Sequence, residues 1–310
     1  MPLLQSADWP LLIDLYFFLG GLAGGALVIA TIAHLLGGEK HRDVVRIGYY
    51  LALLCVIPGP ILLIMDLGVP SRFLNMLLVS KPESAIGMAA INLGPIHLKP
   101  FSPMNVGAWA LLGVSLFAFL AALSVFLEDI KRGRDLSAVR TTVGVIGGVF
   151  GFFLAAYPGV LLGATARPLF QNASFLGALF LVVGATSGAA AIALILSFRG
   201  RGASRILSRL RRIIIPALLL QLVILALFLV RVGMSGGEGA TKSLALLLSG
   251  PYSLTFWIGA VVVGLIAPLA LELTARQRIS PGLVAISAIL ILVGGFLVKY
   301  VIIAAGQVAL

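Results

Sequence analysis

The sequence predicts an all-α integral membrane protein of eight transmembrane helices, arranged as two parallel four-helix halves. Three observations carry that expectation. Of 310 residues, 60% are hydrophobic and only 11% charged, with a mean hydropathy of +1.13; a soluble chain of this length cannot hide so much apolar surface. Eight apolar segments each reach the roughly 20 residues needed to cross hydrocarbon. The basic residues also fall in alternate gaps between those segments, as the positive-inside rule requires of a polytopic protein.

Span 1 is expected over 11–36 and ends at Gly37-Gly38-Glu39-Lys40, a turn and charge signal. No basic region precedes it and no convincing small-residue cleavage site follows, so it reads as a retained span. Its Gly20-Gly21-Leu22-Ala23-Gly24-Gly25 run follows no strand, so it is a helix-packing surface and not a dinucleotide fingerprint. Span 2 covers 46–65. The stretch 66–103 is too polar and Pro-rich for a straight span; it fits a short interfacial helix around Phe73–Val79 and an external loop, Asn92 to Pro103, whose prolines suit either a docking surface or an ordinary cap. Span 3, 104–127, is closed by Asp129-Ile130-Lys131-Arg132-Gly133-Arg134. Spans 4 and 5 cover 139–162 and 172–198, and Arg199-Gly200-Arg201-Gly202 follows. Span 6 covers 213–233 and span 7 covers 252–273. Ser280-Pro281-Gly282 then opens span 8 over 281–305.

Internal similarity divides the chain into halves 1–162 and 163–310. Gly21 to Ala30 in span 1 resembles Gly184 to Ala193 in span 5, and Trp109 and Trp257 open spans 3 and 7. Four spans per half leave the two copies in the same orientation.

Fifteen of the 22 Lys and Arg lie in the gaps near 37–46, 128–140, 199–212 and 274–280. These gaps are therefore expected on the cytoplasmic side of a prokaryotic inner membrane, with both termini outside. Trp9, Trp109 and Trp257 then fall near outer span ends, where indoles favour the interface. The net charge of +11 lies beside the spans, without an aromatic stacking platform, so its expected partner is lipid and not nucleic acid. Cys55 is the only cysteine and lies in an apolar run, which excludes an internal disulfide or a cysteine-held cluster. His34, His41 and His97 fall at unlike membrane levels, so no haem or metal is expected in the chain.

The costly polar residues gather at the outer side. Asp14 and Tyr16 lie in span 1, Asp66 ends span 2 with Arg72 beyond, Tyr157 ends span 4 with Arg167 beyond, and Lys299 lies in span 8. An ionised group in hydrocarbon must be paired, solvated or neutralised, so Lys299 is expected to meet Asp14, Asp66 or water. Three readings of this group stand open: an ion network that orders helix ends, a transport pathway, or a quinone site. In the last, phenols bind ring oxygens and carboxylates take protons. On the inner side, Glu128 and Glu272 occupy corresponding ends of spans 3 and 7 without a continuous carboxylate chain to the outer group.

Several motifs occur together and in order: Trp9-Pro10 with Tyr16-Phe17-Phe18-Leu19-Gly20-Gly21-Leu22-Ala23-Gly24-Gly25; Asp66-Leu67-Gly68-Val69-Pro70-Ser71-Arg72-Phe73; Ser102-Pro103-Met104-Asn105-Val106-Gly107-Ala108-Trp109; Tyr157-Pro158-Gly159; and Ala305-Gly306-Gln307. Over nearly its whole length the chain resembles the NrfD/PsrC family, membrane subunits of nitrite, polysulfide and related respiratory oxidoreductases. The resemblance implies the quinone-reactive subunit of a multisubunit oxidoreductase, incomplete alone. Menaquinol or another quinol would be its exchangeable cofactor. Its partners would be an extracytoplasmic four-cluster ferredoxin-like iron–sulfur subunit and a molybdopterin catalytic subunit. The family's quinone-site positions map to Tyr16 and Tyr157. A phenol with an ordinary pKa of about 10 is a poor proton carrier near neutrality, which leaves Asp14 or Asp66 for that role. Arg72, Arg167 and Lys299 would pair or tune these acids.

Overall fold

The computed structural model describes residues 9–78, 91–93, 96–98, 102–130, 135–165, 167–171, 173–199, 204–235, 237–274 and 280–308. Among the described residues, eight helical stretches are long and apolar enough to cross a membrane. In chain order they are α1 (Leu11–Gly37), α2 with α3 (Arg42–Val56, Pro58–Asp66), α4 (Pro103–Ile130), α5 (Ser137–Gly163), α6 (Ala173–Ser197), α7 (Ser204–Met234) and, beyond the shorter α8 (Glu238–Leu248), a π-helical segment Thr255–Ile266 continued by α9 (Ala267–Thr274), and α10 (Pro281–Val308). The fold is an all-α integral membrane bundle, apart from a two-stranded antiparallel hairpin, β1 (Ile91–Leu93) with β2 (Ile96–Leu98), pairing Asn92 with His97. That hairpin lies in the external loop expected between Asn92 and Pro103.

Several elements differ from the sequence reading. The second span is divided into two helical segments at Ile57. Pro58 and Pro60 lack the N–H that would continue the ladder, and the helix restarts at Pro58 after Val56. The interfacial helix expected around Phe73–Val79 is a 3-10 turn, Pro70–Met76, opened by its proline; Val79 lies outside the described residues. The sixth span starts at Ser204, so Arg205, Arg209, Arg211 and Arg212 ride on the first turns of α7 and not on a loop. The additional helix α8 precedes the seventh span and buries Ala240, Ser243 and Leu247. It is too short to cross hydrocarbon.

The bundle is organised around α1. In α1 and α6 about three-quarters of the apolar window is buried, against less than half in α4 and α7. Small residues make this possible, as the glycine run suggested. A Cβ on Gly24 would lie 3.0 Å from the Gly151 carbonyl carbon of α5, and one on Gly25 would lie 2.7 Å from that of Gly184 in α6. The two glycine-rich stretches that resemble each other in sequence therefore meet backbone to backbone. Gly264 and Gly294 make the same close approach between the π-helical segment and α10. Lipid gives helices no hydrophobic reason to associate, so such close van der Waals contact carries the association.

Ion pairs show that the basic gaps share one end of the bundle. Arg42 and Arg46 converge on Asp129, at 3.4 and 3.3 Å. Arg199 pairs with Asp43, and Arg211 Nε lies 3.1 Å from Glu272, which also accepts from Ser287 at 2.8 Å. Arg140 grips Glu128 with two parallel bonds of 2.8 and 2.6 Å, and the same carboxylate accepts the Leu136 amide. This fork is nearly buried, so removing one partner strands a charge. Arg140→Gln should lower stability by about 3 kcal/mol or more, read as a drop in the melting temperature of the purified protein, and Glu128→Gln combined with it should recover part of the loss. A double variant no more stable than Arg140→Gln alone would reject that account.

A candidate site at the end opposite the basic gaps

Tyr16 and Tyr157 are brought together at the junction of α1, α3, α4 and α5. Tyr16 is 3% and Tyr157 5% exposed, on helices α1 and α5 that pack against each other. A glycine makes room for the second of these rings. The Tyr16 ring lies in van der Waals contact with the position a Cβ on Gly59 would take, 3.5 Å away, just after the Pro58 restart. The Tyr157 phenol lies against the backbone of Gly107 in α4, where any Cβ would collide with the hydroxyl end of the ring. Phe153 stacks one turn below Tyr157, with centroids 6.1 Å apart, and Phe17 tilts against Tyr16 at 5.4 Å. Among the described residues neither phenol oxygen has a hydrogen-bond partner. The structure thus holds two buried phenol side chains beside aromatic rings, and among the described residues neither hydroxyl has an acceptor.

Asp14 and Lys299 lie on the other flank of α1. Positions 14 and 16 are about 200° apart on a helix, whereas 14 and 21 share a face. Gly20 faces Leu154 of α5, but Gly21 faces Lys299 and Gly184 of α6. The expected pairing of Lys299 with Asp14 or Asp66 is corrected: among the described residues no carboxylate lies within ion-pair distance of its ammonium. Lys299 is fully buried, donates to the Phe17 carbonyl at 2.7 Å and lies 5.1 Å from the centroid of the Phe180 ring. Its reach exists because Gly21 has no side chain; a Cβ there would lie 2.6 Å from Nζ. Asp14 is 3% exposed and its Oδ1 is buried without a hydrogen-bond partner.

The remaining candidates scatter. Asp66 and Arg72 are both exposed, and among the described residues they form no ion pair with each other. Buried Arg167 donates to the carbonyls of Gly306, at 3.2 Å, and Gln307, a guanidinium satisfying the last carbonyls of α10. Gln307 in turn accepts from the Trp9 amide at 2.6 Å and donates to the Trp9 carbonyl at 3.1 Å, joining the start of α1 to the end of α10. Asn105 ties the Pro70–Met76 turn to α4 through the Met76 carbonyl at 2.7 Å. The sequence reading missed Gly107 and Gly21 as site-shaping residues. Both stand in Gly-containing helices with nothing local to single them out.

Comparison with known proteins agrees along almost the whole chain. A family model described as "Polysulphide reductase, NrfD" matches residues 3–310. The chain is 28% identical to the C subunit of polysulfide reductase from Wolinella succinogenes, covering 96% of this protein and 93% of that one. It is 27% identical to the protein NrfD homolog of Haemophilus influenzae, over 96% and 94% of the two proteins. It is 26% identical to protein NrfD of Escherichia coli, over 97% and 94%.

Proposed function

Since the chain belongs to the polysulphide reductase NrfD family, we propose that it is the quinone-reactive membrane subunit of a respiratory oxidoreductase, with Tyr16 and Tyr157 binding the quinone head. The observation that carries this reading is the burial of two phenols on the adjoining helices of the first and fourth spans, with no hydrogen-bond partner for either hydroxyl among the described residues. Such a pair fits a ligand with two ring oxygens and an apolar body: each O–H binds one oxygen, and Phe17 and Phe153 wall the ring.

Menaquinol or a similar quinol supplies two electrons and two protons on oxidation. Tyr16 and Tyr157 hold and orient the ring oxygens. Asp66, exposed at the end of the helix that backs Tyr16, takes a proton outward. Asp14 supplies a second, buried carboxylate across α1, and Lys299 fixes the Phe17 carbonyl beside Tyr16. Arg72, beyond Asp66, tunes that acid with its positive charge, and Arg167 holds the end of α10 at the rim. Electrons pass to an extracytoplasmic four-cluster ferredoxin-like iron–sulfur subunit and on to a molybdopterin subunit, or in reverse. The basic end faces the cytoplasm of a prokaryotic cell and both termini face outward. The facing glycine stretches of α1 and α6 support two parallel four-helix halves, 1–162 and 163–310.

The test is to purify the native assembly, identify its subunits and measure menaquinol oxidation coupled to reduction of the bound partner. Quinol-dependent turnover with an iron–sulfur protein present is the expected result. An intact assembly with neither quinone binding nor quinone-dependent turnover sinks the reading. Substrate-dependent flux through the isolated chain, with no redox partner, points instead to a proton-coupled transporter.

A further inference from the structure

At the basic end, far from the two tyrosines, an apolar cavity of about 160 Å³ opens between α1, α2 and α7. Ile32 and Leu36 of α1, Val44 of α2, and Ile206, Leu210 and Ile213 of α7 line it, and His41 and Arg209 close its mouth. Leu36 is 81% and Ile213 47% exposed, so the cavity opens sideways on the surface that meets hydrocarbon. Its mouth lies beside the Gly38–His41 turn, where the chain leaves the membrane. One opening therefore offers apolar walls at acyl-chain depth and a cation at headgroup depth.

The cation is built in. Arg209 donates to His41 Nε2, and His41 Nδ1 lies 3.3 Å from the Ala33 carbonyl. A guanidinium can only donate, so the imidazole accepts at Nε2 and donates at Nδ1, tying Arg209 through His41 to α1. Gly37 leaves space for that ring, since a Cβ there would collide with it. The charge balance at this end then selects the ligand. Arg42 and Arg46 share Asp129, while Arg140, Arg199 and Arg211 each pair with a carboxylate of their own. Among the described residues Lys40, Arg205, Arg209 and Arg212 have no carboxylate partner, and of these four only Arg209 lines the cavity, so its charge is open there to an anion from outside the protein.

We propose that this cavity is a binding site for one anionic phospholipid of the adjoining leaflet, with an acyl chain between α1 and α7 and its phosphate on Arg209. A basic pocket between helices at the membrane surface is suited to such a headgroup. The site is separate from the proposed quinone chemistry.

The test uses the full chain in mild detergent, titrated with phosphatidylglycerol or phosphatidylcholine of identical acyl chains and read by native mass spectrometry and by melting temperature. Phosphatidylglycerol should bind several-fold more tightly than phosphatidylcholine. Arg209→Gln should weaken phosphatidylglycerol about fivefold, the worth of one interfacial cation, and leave phosphatidylcholine unchanged. Ala33→Phe, which fills the cavity, should abolish the bound lipid; Arg209→Gln, at an exposed position, keeps the test valid if the filled variant misfolds. Equal binding of the two lipids, or indifference to Arg209→Gln, overturns the proposal. Stabilisation by inorganic phosphate alone to the same extent overturns the lipid as occupant, and so does displacement of phosphatidylglycerol by menaquinone.

Discussion

Tyr157→Phe lowers quinol-dependent turnover of the purified assembly about ten- to a hundredfold while the complex remains intact. The magnitude follows from what is removed. A ligand oxygen bound in a buried site loses its donor, an unsatisfied group costs about 1–3 kcal/mol, and each 1.36 kcal/mol in a barrier is about tenfold in rate. Little else changes. The phenyl ring keeps its stacking on Phe153, and no internal hydrogen bond is lost because the hydroxyl has no protein partner among the described residues. Turnover must therefore be compared at matched assembly and matched thermal stability. Tyr16→Phe should behave alike, and the double variant should lose less than the product of the two single losses if both hydroxyls hold one ring. Unchanged turnover in an intact Tyr157→Phe complex rejects the role of that hydroxyl.

The second large effect is on the bundle itself. Gly25→Val should destabilise the protein by about 3 kcal/mol or more, seen as a collapse of monodisperse yield and a large fall in melting temperature. The new Cβ would lie 2.7 Å from the Gly184 carbonyl carbon and 3.0 Å from the Ala185 Cα, atoms of the α6 backbone that no rotamer change moves away. Nor can α1 retreat, because Gly24 presses on Gly151 of α5 on its other side. Gly68→Val is the control: nothing lies within 4 Å of its Cβ position, so its melting temperature should match the parent protein. A Gly25→Val protein as stable as Gly68→Val would show that the glycine contact does not hold the helices together.

Different parts of this molecule were legible to different degrees, for physical reasons. Span number follows from apolar length, which the bilayer dictates, and all eight were readable. The basic gaps were rightly grouped, and the Arg42–Asp129, Arg199–Asp43 and Arg211–Glu272 pairs join them at one end. Azimuth was not readable. Asp14 and Tyr16 share a depth, but α1 is apolar around nearly its whole circumference, so no periodicity marks which neighbour each residue meets. Two adjacent glycines, Gly20 and Gly21, face different helices for the same reason. Short elements escaped as well: α8 has eleven residues and no bilayer-length signature, and the Pro58 restart lay inside an otherwise continuous apolar run. Lys299 shows the limit of pairing logic. Electrostatics sent it to a carboxylate or water, whereas a missing side chain at Gly21 offered it a backbone carbonyl.

That arrangement makes the order of sequence change matter at two positions far apart in the chain. While residue 299 is a lysine reaching the Phe17 carbonyl, alanine at position 21 displaces its ammonium, because the added carbon would lie 2.6 Å from Nζ. The next neighbour of that carbon, the Cα of Gly184, is 3.6 Å away, an ordinary contact. A lineage that first shortens residue 299 can therefore accept alanine at 21, whereas one that tries alanine first must unseat a buried cation. The two sites form an epistatic pair whose mutational path runs more easily in one direction than in the other.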